Sequence, residues 1–342
     1  MPKCGSQVVL CELPVRFDTY RGCSHNCSYC FVRRNADLRN PKPAETPKAL
    51  KAFIEGNRTR ETQWCDWEIP LHWGGMSDPF QPVELKFRNS WESLKVFADT
   101  QYPVVFSTKG YVAGMPEYLD MFKRCNAVSQ VSMVSPHFDK LESGAPTFQE
   151  RLEMLPGLAK NTKRLIVRIS PYTLGLADDV CSHLQAFKDA GVFGIEVEAM
   201  KRANKKPGLV RVAGDWCYPI EALRKEFSQI RHEAKNIGLA FYSGENRLRG
   251  MGDDTCCCGV VGVPGFKPNR ANLNRLLVGE EIEYTDRMRQ EGSGGAFKTL
   301  NQTTVAERWL RNQTYADVMD LVAKTKTYLR AMGMISEKES VS

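Results

Sequence analysis

The feature that most constrains the fold is a repeated alternation of short β-rich runs with longer amphipathic runs. The β-rich runs cover residues 15–20, 67–73, 103–108, 128–134, 164–169 and 193–197. The amphipathic runs, with apolar residues at three-to-four spacing, cover residues 89–99, 116–124, 146–159, 178–190 and 220–237. Gly191 and Gly238 are placed to end two of these helices. The alternation predicts an α/β fold with a parallel sheet, either open or rolled into a barrel, and functional side chains where the strands end.

The composition is that of a folded chain without a membrane segment. Of 342 residues, 42% are hydrophobic and 25% are charged, which is enough apolar material for a core and excludes a disordered protein. No apolar run approaches the ~18 residues that a membrane-spanning helix needs. The first residues lack the pattern of a signal peptide, so we expect a cytoplasmic protein. The net charge of +7 favours a polyanionic partner without requiring one.

We expect two parts in the chain, a barrel over residues 1–245 and a C-terminal extension over residues 246–342. A Gly/Ser patch at residues 292–295 is typical of a flexible joint. Residues 303–334 have the periodicity of two helices, which we expect to cover the barrel.

Three of the twelve cysteines, Cys23, Cys27 and Cys30, lie on one short loop after the first predicted strand. A chain of this length in a reducing cytoplasm does not need disulfides, so this C-x3-C-x2-C loop predicts a metal centre. Zinc usually takes four ligands, and only His25 within the loop could be the fourth. A [4Fe-4S] cluster on three cysteines fits better, because its fourth iron stays open for a ligand that is not protein.

At this spacing the sequence resembles the radical S-adenosylmethionine (SAM) superfamily. The resemblance implies a partial (β/α)6 barrel, a [4Fe-4S] cluster on Cys23, Cys27 and Cys30, and SAM bound to the open iron. It also implies reductive cleavage of SAM to a 5′-deoxyadenosyl radical, with an electron donor such as flavodoxin or ferredoxin. The aromatic residue before the last cysteine, which lies near the adenine in this family, is Tyr29.

Residues after the next strands narrow the resemblance, over residues 15–197, to the spore photoproduct lyase and DNA-repair-photolyase-like branch. Glycines allow a close backbone approach, serine and aspartate accept hydrogen bonds from an ammonium group, and lysine can meet a carboxylate. Ordinary turn, packing or surface roles are the alternative at each position. The predicted SAM contacts are Gly74, Gly75, Ser77, Asp78, Lys109, Ser132 and Arg168.

Three further pairs or groups of charged residues have two open interpretations each. Glu142 and Arg151 either pair to brace the site or leave Arg151 on a helix surface. Glu196 and Glu198 share one strand face, where they either contact substrate or pair with nearby basic residues. The basic run at residues 201–207 either contacts phosphates or is a solvated loop.

One position departs from the pattern of spore photoproduct lyase. The hydrogen-donating cysteine of that enzyme corresponds to Gly75 here, which questions the same lesion-repair reaction. The candidates that could replace it are Cys256, Cys257 and Cys258, since a thiol S–H bond is weaker than most C–H bonds. The alternative for these three residues is ordinary buried cysteines. Their direct succession disfavours a second cluster.

The sequence therefore predicts a radical SAM enzyme that acts on a nucleic-acid base, in repair or modification. A radical SAM enzyme for a peptide or a small metabolite is the first alternative. An iron–sulfur protein that binds a partner without turnover is the second.

Overall fold

An eight-stranded sheet forms the centre of the computed structural model, which describes residues 1–4, 11–34, 40–59, 62, 68–212, 215–269, 272 and 275. The strands are β1 (Lys3–Cys4), β2 (Val15–Phe17), β3 (Tyr20–Arg21), β4 (Lys42–Pro43), β5 (Leu71–Trp73), β6 (Val104–Thr108), β7 (Ala127–Ser132), β8 (Arg164–Tyr172), β9 (Gly194–Ala199), β10 (Val210–Val212), β11 (Asp215–Cys217) and β12 (Ala240–Ser243). The sheet order is β1-β2-β5-β6-β7-β8-β9-β12, antiparallel between β1 and β2 and parallel from β2 onward. Two small antiparallel pairs, β3–β4 and β10–β11, lie outside it.

Helices connect the parallel strands, as the sequence periodicity predicts. They are α1 (Pro47–Ile54), α2 (Glu84–Phe87), α3 (Asn89–Thr100), α4 (Pro116–Phe122), α5 (Phe148–Asn161), α6 (Ala177–Asp189) and α7 (Ile220–Asn236). A capping box of Thr147 and Glu150 starts α5, because each side chain satisfies the other residue's backbone N–H. Gly191 and Gly238 follow α6 and α7 with φ of +83° and +74°, which confirms the predicted helix ends.

The two faces of the sheet carry separate apolar clusters. Phe106 faces the helices and stacks on Phe122 with ring centroids 4.5 Å apart, within the main core. Val105, the neighbour of Phe106 on β6, points to the opposite face, because side chains alternate along a strand. There it packs with Cys256 and Cys258 in a second cluster. The segment after β12 thus covers the inner face of the sheet.

The described residues bear out the α/β class and most element bounds. The first strand is shorter than predicted, since β2 ends at Phe17 and Tyr20 instead pairs in register with Pro43 of β4. The second strand begins at Leu71, and Trp67 lies outside the described residues. In the part of the chain that the structure describes, no helix is long and apolar enough to span a membrane. The predicted joint at residues 292–295 and the helices at residues 303–334 also lie outside that part.

Candidate active site

The cysteine loop follows β3, beside the carboxyl end of β5. Cys27 is buried, Cys23 and Cys30 are half-buried, and none of the three is in a disulfide. The Cys30 N–H donates to the Cys27 carbonyl at 3.2 Å, which turns the chain back on itself. The three cysteines thus lie within eight consecutive residues of a single tight loop.

Gln81, after β5, holds the loop on both sides of Cys23. Its amide Nε2 donates to the Gly22 carbonyl at 3.1 Å, and its Oε1 accepts from the Ser24 N–H at 2.9 Å. The side chain is fully buried, so both bonds are shielded from water. A single amide thus fixes the backbone that carries the first cysteine.

A second support comes from the segment before α5, through Gly144. Its N–H donates to the His25 carbonyl at 3.0 Å. A Cβ at this position would lie 2.3 Å from the Ser24 carbonyl oxygen, so only glycine permits this approach to the loop. The Ser28 N–H also donates to the Leu141 carbonyl at 2.7 Å.

His25 faces protein groups with both of its ring nitrogens. Nδ1 lies 3.0 Å from the Gly144 carbonyl oxygen, and Nε2 lies 3.1 Å from Oδ2 of Asp78. The ring is 2% exposed. These contacts leave the imidazole as a brace for the loop, which does not support the alternative of a zinc ion with His25 as its fourth ligand.

Asp78 joins the loop to the ends of β5 and β6. Its Oδ1 accepts from the Thr108 hydroxyl at 2.7 Å, and its Oδ2 accepts from the Lys109 N–H at 2.6 Å. Burial raises the pKa of this carboxyl, but His25 and the hydrogen bonds outweigh burial and leave the pKa lowered. Ser77 is also engaged, because its hydroxyl donates to the Tyr20 carbonyl at 2.6 Å. Both predicted SAM contacts therefore have protein partners in this structure.

A buried ion pair joins the loop to α5 and β7. Arg151 Nη2 lies 2.6 Å from Glu142 Oε2 and each side chain is 1% exposed, so of the two interpretations the structure shows the pairing. Arg151 Nη1 also donates to the Ser132 carbonyl at 2.7 Å. On its other side, Glu142 accepts from the Tyr29 hydroxyl and lies 3.7 Å from Lys109 Nζ. This network brings three of the predicted SAM contacts, Tyr29, Lys109 and Ser132, to one place.

The electrostatics of the loop favour neutral thiols when no metal is bound. Burial, followed by the charge of Asp78, raises the pKa of Cys23 to about 12. Burial also raises the pKa of Cys27, although the Lys109 ammonium opposes this shift. Binding a metal would therefore release protons from these residues.

The donor set of the loop fits a cluster better than a single ion. Among the described residues, no three His, Cys, Asp or Glu side chains surround one point closely enough to hold one metal ion. A [4Fe-4S] cluster does not need this convergence, because each thiolate binds a different iron. Three soft thiolates on a braced loop suit iron–sulfur ligation.

Polar side chains continue across the inner face of the sheet. The His72 ring lies 3.0 Å from the Ser107 hydroxyl, which donates to Gln130 at 2.8 Å. Burial and then Arg168 and Arg16 lower the pKa of His72 to about 3, so the ring is neutral. Gly74 and Gly75, which are also predicted SAM contacts, follow β5, the strand of His72. A Cβ at Gly74 would lie 2.5 Å from the Ser107 carbonyl oxygen.

Arg168 of β8 pairs in register with Ser132 of β7 and forms ion pairs with the next strand. Its Nε lies 2.8 Å from Glu196 Oε2, and its Nη2 lies 3.2 Å from Glu198 Oε2. Glu198 also lies 3.4 Å from Lys201 Nζ. Of the two interpretations for Glu196 and Glu198, the structure therefore shows the pairing with basic residues.

The three consecutive cysteines reach this inner face. Cys256 and Cys258 are buried in the second apolar cluster, and the Cys258 carbonyl accepts from Gln130 Nε2 at 3.3 Å. Cys257 is half-buried and lies beside Arg249. Its sulfur is 3.8 Å from that of Cys258. The segment thus places Cys257 among Arg249, Arg168 and Glu196.

Comparison with known proteins decides the family. Residues 18–169, from the end of β2 into β8, match the model of the Radical SAM superfamily. These residues therefore form a radical SAM domain. Radical SAM proteins use a [4Fe-4S] cluster and SAM, and these are the cofactors of the chain.

Solved radical SAM structures share the fold. Spore photoproduct lyase complexed with dinucleoside spore photoproduct superposes with a TM-score of 0.55 at 15% identity, over 68% of this chain and 76% of that one. A variant of the same enzyme gives 0.57 at 13% identity with the same coverage. Among curated sequences, uncharacterized proteins of Mycobacterium tuberculosis and Mycobacterium bovis are 26% identical over 179 residues. This alignment covers 48% of the chain, which spans about half (52%) of those relatives.

Sequence reasoning missed the groups that hold the radical SAM loop in place. Gln81 and His25 had no assigned role as braces, although both lie inside segments that the resemblance marked. Asp18 was also missed, and its Oδ1 accepts from the N–H groups of Met76 and Ser77 at 2.9 and 3.2 Å. The only available signal was the presence of polar side chains in otherwise apolar or Gly-rich stretches.

Proposed function

We propose that this chain binds its [4Fe-4S] cluster through Cys23, Cys27 and Cys30, cleaves SAM reductively, and acts on a nucleic-acid base. The observation that carries the first part is the cysteine loop itself. It is braced by Gln81 and Gly144 and lies beside Lys109 at the carboxyl ends of the parallel strands, where α/β enzymes place their sites.

When bound, the two cofactors supply a 5′-deoxyadenosyl radical, with an electron from a donor such as flavodoxin or ferredoxin. The protein's part is to orient SAM and to exclude water. Lys109, 15% exposed and held near Glu142, offers an ammonium group to the SAM carboxylate. Tyr29, whose ring packs edge-on against Phe138, offers a flat apolar surface for the adenine.

Three further pairs of residues complete the proposed SAM site. Gly74 allows the close approach of β5 to Ser107, and Gly75 leaves room for the methionine end, since the nearest atoms to a Cβ there belong to Arg16 and His72 at 3.5 Å or more. Ser132 and Arg168, paired across β7 and β8, form the opposite wall for the ribose and adenine. Ser77 and Asp78 shape this edge through the bonds that fix β5 and β6 to the loop.

A hydrogen donor is needed after the substrate radical forms, and we assign this role to the segment Cys256, Cys257 and Cys258. Within it, Cys257 is the half-buried residue and lies near Arg168. Cys256 and Cys258 are 1% and 7% exposed, so they do not meet the substrate directly and act through Cys257.

The nucleic-acid substrate is supported by a basic and aromatic hairpin that follows β9. Trp216 of β11 lies opposite Arg211 of β10 and bridges to Arg202 on its other side. Lys205 Nζ lies 5.7 Å from the centre of the Trp216 ring. Interleaved cationic and aromatic side chains bind single-stranded nucleic acid by phosphate contact and base stacking.

Radical initiation is tested by incubating anaerobically purified protein with SAM and dithionite. We expect 5′-deoxyadenosine from the wild type and none after substitution of Cys23, Cys27 or Cys30 by alanine. The Cys181→Ser variant, altered on α6, is the control and should behave like wild type. If the wild type forms no 5′-deoxyadenosine, the protein is a binding protein and the proposal fails.

Substrate class is tested by the fluorescence anisotropy of a single-stranded oligonucleotide at increasing salt. Trp216→Ala should weaken binding by the ~1–3 kcal/mol of a stacked base. Lys205→Ala should lower the salt slope by about 1. Lys95→Ala, a change of an exposed lysine on α3, is the control and should alter neither. Absence of binding at low salt would favour a peptide or a small metabolite as substrate.

A further inference from the structure

Two adjacent sulfur atoms on the inner face form a contact that the proposed function does not by itself require. Sγ of Cys257 and Sγ of Cys258 lie 3.8 Å apart, within hydrogen-bond distance for sulfur. Cys258 also contacts the sulfurs of Cys11 and Cys256, so it lies inside a group of four thiols. Cys258 belongs to the buried apolar cluster, whereas Cys257 is half-buried at its edge.

The charges around the two sulfurs differ in a way that separates their protonation states. Cys257 lies beside the guanidinium of Arg249 and near Arg168. Glu196 is the carboxylate that faces it, and that group is paired with Arg168 at 2.8 Å. Cys258 lies deeper, against the sulfurs of other cysteines and apolar side chains, although the charges of Arg168 and Arg249 also reach it. Positive charge therefore favours a thiolate at Cys257, while the thiols and burial favour a thiol at Cys258.

We propose that Cys257 and Cys258 form a redox-active thiolate–thiol pair that delivers one hydrogen atom to the substrate radical and then holds the residual unpaired electron in an S–S bond. This inference rests on the proposed function for its substrate radical. It differs from a single-cysteine donor because a thiolate alone has no hydrogen atom to give. The shared proton must come from the neighbouring sulfur.

Hydrogen transfer begins with a proton that moves from the Cys258 sulfur to the Cys257 sulfur. The S–H bond of Cys257 then breaks as a C–H bond forms on the substrate radical. Cys257 becomes a thiyl radical and Cys258 a thiolate. The two combine into a disulfide radical anion with a three-electron S–S bond. One electron from the low-potential donor that SAM cleavage already requires, and one proton from solvent, restore the thiolate and the thiol.

Because Cys257 and Cys258 are adjacent in sequence, a bond between their sulfurs is easily reduced. Neighbouring Cα atoms are 3.8 Å apart, which is below the usual 4.4–6.8 Å of disulfides, so a Cys257–Cys258 bond is strained. Strained disulfides are more readily reduced than relaxed ones. The pair therefore returns to its reduced state instead of remaining trapped as a disulfide.

The first test measures the alkylation rate of each cysteine against pH in the full chain, with residue-level mass spectrometry and without SAM or reductant. The contact with Cys258, followed by the charge of Arg249, outweighs burial and lowers the pKa of Cys257 to about 5. An ordinary cysteine has a pKa near 8.5, and nucleophilicity falls with pKa with a coefficient of about 0.5, so Cys257 should react about fivefold faster than an exposed cysteine at pH 6. Cys258→Ala should raise the pH at which the alkylation rate of Cys257 is half-maximal, whereas Cys181→Ser should leave that pH unchanged.

The second test oxidises the same proteins with diamide and maps the bonds by tandem mass spectrometry. We expect a Cys257–Cys258 bond in wild type and in Cys181→Ser, and its reversal by low concentrations of dithiothreitol. A bond from Cys258 to Cys11 instead, no bond, or a Cys257 midpoint near pH 8.5 would overturn the pair. Neither test depends on radical initiation, so a failure here is distinct from a failure to form 5′-deoxyadenosine.

Discussion

Breaking the buried Glu142–Arg151 pair should destabilise the domain far more than breaking an ion pair on its surface. Arg151→Met removes the 2.6 Å contact to Glu142 and the 2.7 Å bond to the Ser132 carbonyl. Both side chains of the pair are 1% exposed, so Glu142 would retain a buried charge with only Lys109, at 3.7 Å, to offset it. Loss of one partner from a buried pair costs about 3–5 kcal/mol. For a domain of this size that corresponds to a Tm lower by about 6–20 °C.

The matched control is Arg88→Met, since Arg88 makes two bonds to Glu117, at 2.8 and 3.0 Å, but is 32% exposed. An exposed pair contributes about 0.2–1 kcal/mol. Urea unfolding of both variants, followed by circular dichroism on metal-free protein under reducing conditions, separates the fold from the cluster. Equal shifts in the two variants would refute the reasoning. Recovery of part of the stability in Glu142→Gln/Arg151→Met would confirm that the stranded carboxylate is the cause.

Two further predictions concern the loop and the pH dependence of stability. Gly144→Ala should displace the cysteine loop by about 1 Å, which at a reacting centre costs up to about 100-fold in rate, so bound iron and 5′-deoxyadenosine should both fall. Gly250→Ala, where a Cβ meets nothing within 4 Å, should leave both unchanged, and equal losses would contradict this account. Burial raises the pKa of Glu45 from 4.5 to about 7, so the folded state holds a proton that the unfolded state has lost. Stability from this group is complete below about pH 4.5 and falls as pH rises to about 7, and Glu45→Gln should flatten urea midpoints across that window.

The regular elements could be predicted from the sequence because each has its own period. The helix predicted at residues 89–99 is α3, Asn89–Thr100, and the helix predicted at residues 220–237 is α7, Ile220–Asn236. Apolar faces and glycine ends are local signals, so they are visible without tertiary contacts. Helix α1 was missed, although Thr46 caps it and Pro47 opens it, because its eight residues contain too few apolar positions to reveal a helical period.

The site was only partly accessible from the sequence. The cysteine spacing identified the loop, but the groups that fix it are distant in sequence, as Gln81 is from Gly22 and Gly144 from His25. Periodicity cannot show such pairings. The β10–β11 hairpin was also missed, because its strands are three residues each and only its basic flank is visible in the sequence.

Because Gln81, Gly144 and Ser28 hold the cysteine loop by bonds between protein atoms, we expect these bonds to keep the loop in place also without iron. Small zinc domains differ, since metal affinity there is folding free energy. In this protein we expect metal affinity and folding free energy to be largely independent of each other. Oxidative loss of the cluster should therefore leave a native polypeptide that can be remetallated directly, without first unfolding.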